Sequence, residues 1–281
     1  MILVDFSSAM ISRIVHGKSV INEQSIRSMC LDRVLSIKKQ FGSKYGELVI
    51  CKDTSNYWRK EFFPFYKAKR TDFFEKSKFD WSMIMNGIHS FADDLEVYFP
   101  YRVIKVPRTE ADDIIGVLTK EYHSREKILI YSADSDFNQL LKYPGVDQYS
   151  PVTKKLFKVS NPEMYLKEKI IRGDKGDGIP NILSSDNTFV TPGARQPPIR
   201  KTKLNTWLGE EPSVFCENEN ILRNWHRNRT LIDLENTPQD IQDEIRKQFL
   251  EHDSSDWRRD NVISYLSKNG MGAFLTNLQD F

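Results

Sequence analysis

Residues 107–118 read PRTEADDIIGVL, with three carboxylates, Glu110, Asp112 and Asp113, in four positions just ahead of an apolar run. Part of that crowding belongs to a helix start. Thr109 can cap the helix that follows, and acids suit a first turn because the backbone dipole is positive there. Capping uses one or two carboxylates, not three. Close carboxylates raise one another's pKa unless a cation lies among them, so a cluster joined by acids from distant segments implies bound metal.

Outward from this stretch the chain alternates. ILVDF (2–6), ELVICKD (47–53), YRVIKV (101–106) and KILIYSAD (127–134) read as short buried strands. SIRSMCLDRVLSIKKQF (25–41) and segments at about 79–99 and 110–123 have helical spacing. The fold class this predicts is α/β, a mainly parallel central sheet flanked by helices. Asp5 ends the first strand, Asp53 the second, and Asp134 with Asp136 the fourth, while Glu110, Asp112 and Asp113 follow the third. Ligands bind at the carboxyl ends of parallel strands, so these acids are expected to converge on one edge. Past residue 160 the alternation stops. A helix leads into the turn GDKGDG, which adds Asp174 and Asp177, and a second helix start is expected after it. An irregular stretch at 184–200 precedes helices near 217–235, 238–251 and 256–268, with starts at Thr237-Pro238 and Ser254 to Asp256. The expected division is an α/β core over 1–160 and a helical, duplex-binding region over 161–281.

Composition excludes several classes. With 41 basic against 39 acidic residues the net charge is only +2, so polyanion binding must come from segregated charge. Cys30, Cys51 and Cys216 are scattered, and the five histidines lack paired ligand spacing, which argues against disulfides and zinc and for a reducing compartment. Asp5 interrupts the N-terminus before any leader could develop, and no apolar run approaches the ~20 residues of a membrane span, so a cytoplasmic protein is expected. Neither a P-loop nor a GxGxxG after a strand is present.

Oxygen-rich sites select magnesium or manganese. Two such ions roughly 4 Å apart can activate water and neutralise the leaving oxygen of a phosphodiester. The stretch YWRKEFFPFYKAKR (57–70) interleaves Arg59, Lys60, Lys67, Lys69 and Arg70 with aromatic residues. Cations contact phosphates while rings stack on unpaired bases, a combination suited to single-stranded ends. The run RQPPIRKTK (195–203), with Arg200, Lys201 and Lys203, and RNWHRNR (223–229) could grip duplex backbone farther away.

LVDFS (3–7), CKDTSNYWR (51–59), FYKAKR (65–70), EADD (110–113), SADSDFNQL (132–140) and GDKGD (173–177) occur together in an order and spacing that resembles the structure-specific 5′ nucleases, or flap endonucleases, in their phage ribonuclease H branch. The resemblance covers essentially the whole chain. It implies a 5′ nuclease that removes RNA primers and 5′ flaps from duplex DNA in replication and repair. Asp5, Asp53, Glu110 and Asp112 would surround a first Mg2+, and Asp134, Asp136, Asp174 and Asp177 a second, with Mn2+ as a substitute and Asp113 acting through water. Lys67 would stabilise charge on the scissile phosphate, Arg70 would contact a neighbouring phosphate, and Tyr66 would stack on a terminal base. An arch for the 5′ strand falls at about 64–85. A helix-hairpin-helix element with a potassium ion falls on GDGIPNILSSDNTF (176–189), where Ser184, Ser185 and Asp186 replace its usual glycines. The implied partners are nicked or branched duplex DNA and RNA–DNA hybrid bound by a monomer, with a sliding clamp or single-strand-binding protein in addition. No N-terminal clamp-docking peptide is expected ahead of the first strand. GAFLTNLQDF (272–281) fits a helix closing the core, with a partner-binding tail as the other reading. Two rival functions stay open: a PIN-type ribonuclease on single-stranded RNA, and a noncatalytic DNA-binding or clamp-associated module.

Overall fold

Five short strands pair in parallel, and three adjacent ones are apolar runs buried along their whole length with partners on both sides. In the computed structural model, which describes residues 1–15, 17, 20–69, 77–252 and 257–281, the five are β1 (Ile2–Asp5), β2 (Leu48–Cys51), β3 (Arg102–Ile104), β4 (Ile128–Tyr131) and β5 (Val146–Ser150). A short β6 (Lys155–Leu156) folds back antiparallel on β5. The order is β3-β2-β1-β4-β5-β6, with Asp5 beside Cys51 and Val4 beside Tyr131. The chain therefore winds outward from β1 through β2 to β3, then returns to the other side of β1 as β4. That reversal makes a switch point between β1 and β4, where the connections diverge and leave a crevice at the strand ends.

Alternate side chains sort the core into two layers. Ile2, Val4 and Ile50 face α1 (Phe6–Val15), α2 (Glu23–Tyr45) and α4 (Trp81–Tyr98); Leu3, Val49 and Ile130 face α5 (Ala111–Tyr122) and the 3-10 helix Ser135–Lys142. α3 (Trp58–Phe62) lies between β2 and α4. A third core joins Phe63 and Tyr66 to Ile170, Ile179, Trp207, Phe215, Trp225 and Leu231, built on α6 (Pro162–Arg172), α7 (Lys201–Leu208), α8 (Pro212–Phe215) and α9 (Glu219–Ile232). The chain then returns to the sheet: Ile241 and Ile245 of α10 (Gln239–Glu251) join the second layer, and Val262 and Leu266 of α11 (Arg259–Lys268) the first. Phe274, Leu275, Leu278 and Phe281 also pack on the first layer, so the terminal segment closes the core.

Two elements depart from the sequence reading. α1 follows β1 directly, its Phe6, Ala9, Met10 and Ile14 buried at helical spacing; β5, VDQYS, alternates buried and half-buried positions but is too polar to announce itself. A third expectation is corrected. No second helix forms after the glycine turn, and turns occupy 181–193 until α7 begins at Lys201. The turn itself is tight: Gly173 at φ 68 would place a Cβ 2.3 Å from the Ile179 carbonyl, and Gly178 at φ 74 lies against the Phe65 carbonyl. Only glycine fits both constraints. Residues 70–76 of the expected arch, including Arg70, and the expected helix start at 254–256 lie outside the described residues. Among the described residues no helix is long and apolar enough to cross a membrane.

Candidate active site

The crevice at the strand ends is a groove of about 810 Å³ lined by Asp5, Asp53, Glu110, Asp112 and Asp134, with Lys67 on its wall. Local structure brings each acid there. Asp5 is the last residue of β1; its Oδ2 accepts from Ser132 Oγ at 2.7 Å, and the same hydroxyl accepts the Asp134 amide at 3.0 Å. Asp53 follows β2 and accepts the Ala111 amide at the start of α5 at 2.9 Å. Asp134 caps the 3-10 helix through the Asp136 amide. Gln148 of β5 is fully buried and donates to the carbonyls of Ser132 and Asp134, fixing that loop.

Electrostatics separates the acids. Burial first, and then the charges of Asp53 and Asp134, push the Asp5 carboxyl up to about 7. Asp112 is raised well above the usual carboxylate range by burial and by Asp134, Glu110 and Asp5. Burial would raise Glu110 as well, but Lys67 and Arg59 outweigh it and hold that group below its ordinary value. Lys67 Nζ lies 2.5 Å from Glu110 Oε1, while Tyr66 Oη and Arg59 Nη1 donate to Oε2 at 2.8 and 3.2 Å. Asp113 is saturated: it accepts from Trp58, Arg59, Thr237 and the Glu110 amide, and it is wholly buried.

The remaining expected acids do not line the groove. The Asp177 carboxylate accepts from Tyr66 Oη at 3.0 Å and lies 3.6 Å from Lys67 Nζ. Its backbone carbonyl takes the Lys67 amide, an approach that holds Lys67 at φ 54. Asp136 and Asp174 both pair with Lys169. Among the described residues no three Asp, Glu, His or Cys side chains stand close enough to hold a metal ion as they are. The expected tight convergence is thus corrected to acids that stand apart, several of them turned toward lysine and arginine. The set still fits hard divalent ions: the donors are all oxygen, and burial and neighbouring carboxylates raise Asp5 and Asp112, with Lys67 opposing but not outweighing them at Asp112.

Two nucleic-acid contacts are also corrected. Arg59 and Tyr66 are 2% and 3% exposed, because both turn inward to the acids, so neither can meet a base or phosphate directly. Lys60, Lys69, Arg200, Lys201 and Lys203 are exposed, Lys203 paired with Glu217 at 2.9 Å. In RNWHRNR, Arg227 is buried against Asp186 and the Pro180 carbonyl, while Arg223 is exposed and also held by Asp186. Sequence reasoning missed Gln148 and Lys169; no local motif marks either, and only the packing of β5 and α6 brings them to the acids.

Comparison with known proteins agrees with this architecture. Residues 1–171 match the model of the 5′–3′ exonuclease N-terminal resolvase-like domain, and residues 160–281 match the T4 RNase H C-terminal model. The chain is similar to ribonuclease H of Enterobacteria phage T4, 31% identical over 291 residues, covering 99% of this chain and 95% of that protein. Its fold resembles a bacteriophage T5 protein co-crystallised with metal ions (18% identity, TM-score 0.65, 89% of this chain and 98% of that one). It also resembles the bacteriophage T5 flap endonuclease in a pseudo-enzyme-product complex with DNA and metal ions (19%, 0.61, 89% and 97%). With both domain models matched in sequence order and a near-full-length relative above 30% identity, the chain belongs to the 5′–3′ exonuclease family, in its T4 RNase H branch.

Proposed function

We propose that this protein is a metal-dependent 5′ nuclease that removes RNA primers and 5′ flaps from duplex DNA. The observation that carries the reading is the groove itself, where five carboxylates from four separate segments surround one opening at the β1/β4 switch point with Lys67 on its wall. Divalent ions, when bound there, supply a water of lowered pKa and neutralise charge on the leaving oxygen. Magnesium is the ion proposed, with manganese a substitute. Asp5, Asp53, Glu110 and Asp112 would hold one ion and Asp134, Asp136, Asp174 and Asp177 another. The potassium site is not carried forward, because the second helix of its element does not form.

The protein's own groups do the rest. Lys67, on leaving Glu110, can donate to a nonbridging oxygen of the scissile phosphate and stabilise charge that develops there. Asp113 and Arg59 position Glu110: one takes its amide, the other its carboxylate. Exposed Lys60 and Lys69, near Lys67 in the chain, and Arg200 and Lys201 of the helical region are the proposed contacts to phosphates of the 5′ strand and the duplex. Arg70 is proposed as a further phosphate contact on its motif alone. The reading places the protein where replicating DNA is, in the host cytoplasm.

Gel analysis of 5′-labelled flap and RNA-primed duplexes tests this. Short 5′ products should appear with magnesium and not with chelator, and Lys67→Ala should slow cleavage about 100-fold or more while flap binding changes only a few-fold. Preference for unstructured RNA would instead indicate a PIN-type ribonuclease, and tight flap binding without turnover a noncatalytic module.

A further inference from the structure

Asp136 and Asp174 have a third member between them. Lys169 Nζ pairs with Asp136 and lies 3.0 Å from Asp174 Oδ2. The lysine comes from the last turn of α6, which packs on the 3-10 helix carrying Asp136 near its start, and Asp174 follows two residues after α6 ends. All three side chains are largely withdrawn from solvent, at 12%, 16% and 24% exposure. Asp174 is fixed further by the amides of Gly176 and Asp177 on its Oδ1. One ammonium offsets one of the two carboxylate charges, so with Asp177 close by the cluster keeps a net negative charge.

We propose that Lys169 is a displaceable internal counter-ion, holding Asp136 and Asp174 together in the metal-free protein and moving aside when those acids take up a divalent ion. This rests on the two-ion reading above. A monovalent amine and a divalent ion compete for the same oxygens, and the ion brings the larger charge. The ion at this pair must displace the one cation that holds both acids, whereas at the first site only Glu110 carries a lysine, Lys67, and an ion at Asp5 and Asp112 relieves repulsion. The two sites should therefore differ in affinity, the Lys169 site being weaker.

Manganese binding to the full chain, without nucleic acid and read by electron paramagnetic resonance, tests the idea. Wild type should show two classes of ion. Lys169→Gln should tighten the weaker class about tenfold, the low end of what an adjacent opposite charge does to a carboxylate's proton affinity; Lys169→Arg should stay near wild type. Acylation of Lys169 in the wild-type chain, followed by mass spectrometry, should rise when magnesium is added, a readout that needs no variant to fold. An unchanged or weakened second class in K169Q, or labelling that magnesium leaves flat, overturns the counter-ion. Asp174→Asn separates the two levels. If it removes the weaker class while K169Q leaves that class alone, only the role of Lys169 is wrong. If its isotherm matches wild type, the two-ion reading fails and takes this inference with it.

Discussion

The acids of the groove differ in how far protein cations neutralise them: Lys67 and Arg59 outweigh burial at Glu110, whereas at Asp112 Lys67 does not. Asp5 and Asp112 are pushed upward by burial and by one another's neighbours. By contrast, Glu110 meets Lys67, Arg59 and Tyr66, Asp113 meets Arg59, and Asp136 and Asp174 meet Lys169. Like charges can be buried together when protein cations neutralise them, and where they are not neutralised they store repulsion that an incoming ion releases. The same residue type therefore serves binding in one place and structure in the other.

Adjacent residues break or sharpen this contrast most directly. Asp112→Asn should lower flap cleavage on the order of 1,000-fold, comparable to losing a major electrostatic contributor, while the melting temperature in chelator holds or rises because repulsion is relieved. A fall in that temperature would place Asp112 with the neutralised acids. Asp113→Ala should do the reverse to stability: leaving the buried Arg59 short of a partner costs on the order of 3 kcal/mol, readable by urea unfolding, and an unchanged midpoint would remove Asp113 from the structural set.

The contrast extends to pH. Asp5 has an ordinary value of 3.8 and sits at about 7 in the fold. Between those values the native state holds more protons than the unfolded one, so the Asp5 contribution is present at low pH and is lost as pH rises from about 4 to about 7. Melts in chelator should show that decline, and Asp5→Asn should flatten it; a decline that persists in the variant assigns it elsewhere. The smallest effect belongs to the exposed cations. Lys60→Ala and Lys69→Ala should weaken duplex binding modestly and uniformly, each lowering the slope of log affinity against log salt by about 1 if it meets a phosphate.

Legibility in the sequence followed the range of the interactions. The strands at Ile2–Asp5, Leu48–Cys51 and Ile128–Tyr131 were readable because two-sided burial forces continuous apolar runs. α5 was readable because Ala111 to Leu118 has helical spacing behind an acidic first turn. β5 was not, since Asp147 and Gln148 interrupt its apolar character and Gln148 is buried only because it serves the Asp134 loop. The basic aromatic stretch 57–70 announced cations and rings but not their direction. Arg59 and Tyr66 turn inward because acids from β3's far side and from the glycine turn reach them through folding alone.

By itself the sequence determined the alternation of strand and helix, and hence that acids placed after strands gather at one edge, because periodicity and strand polarity are local properties of the chain. Tertiary structure alone decided which acids stay open and which are neutralised. That outcome depends on where Arg59, Lys67 and Lys169 come to rest, each of them paired with acids far away in the chain or on another element. Coulomb interactions follow distance in space, and separation along the chain does not encode it.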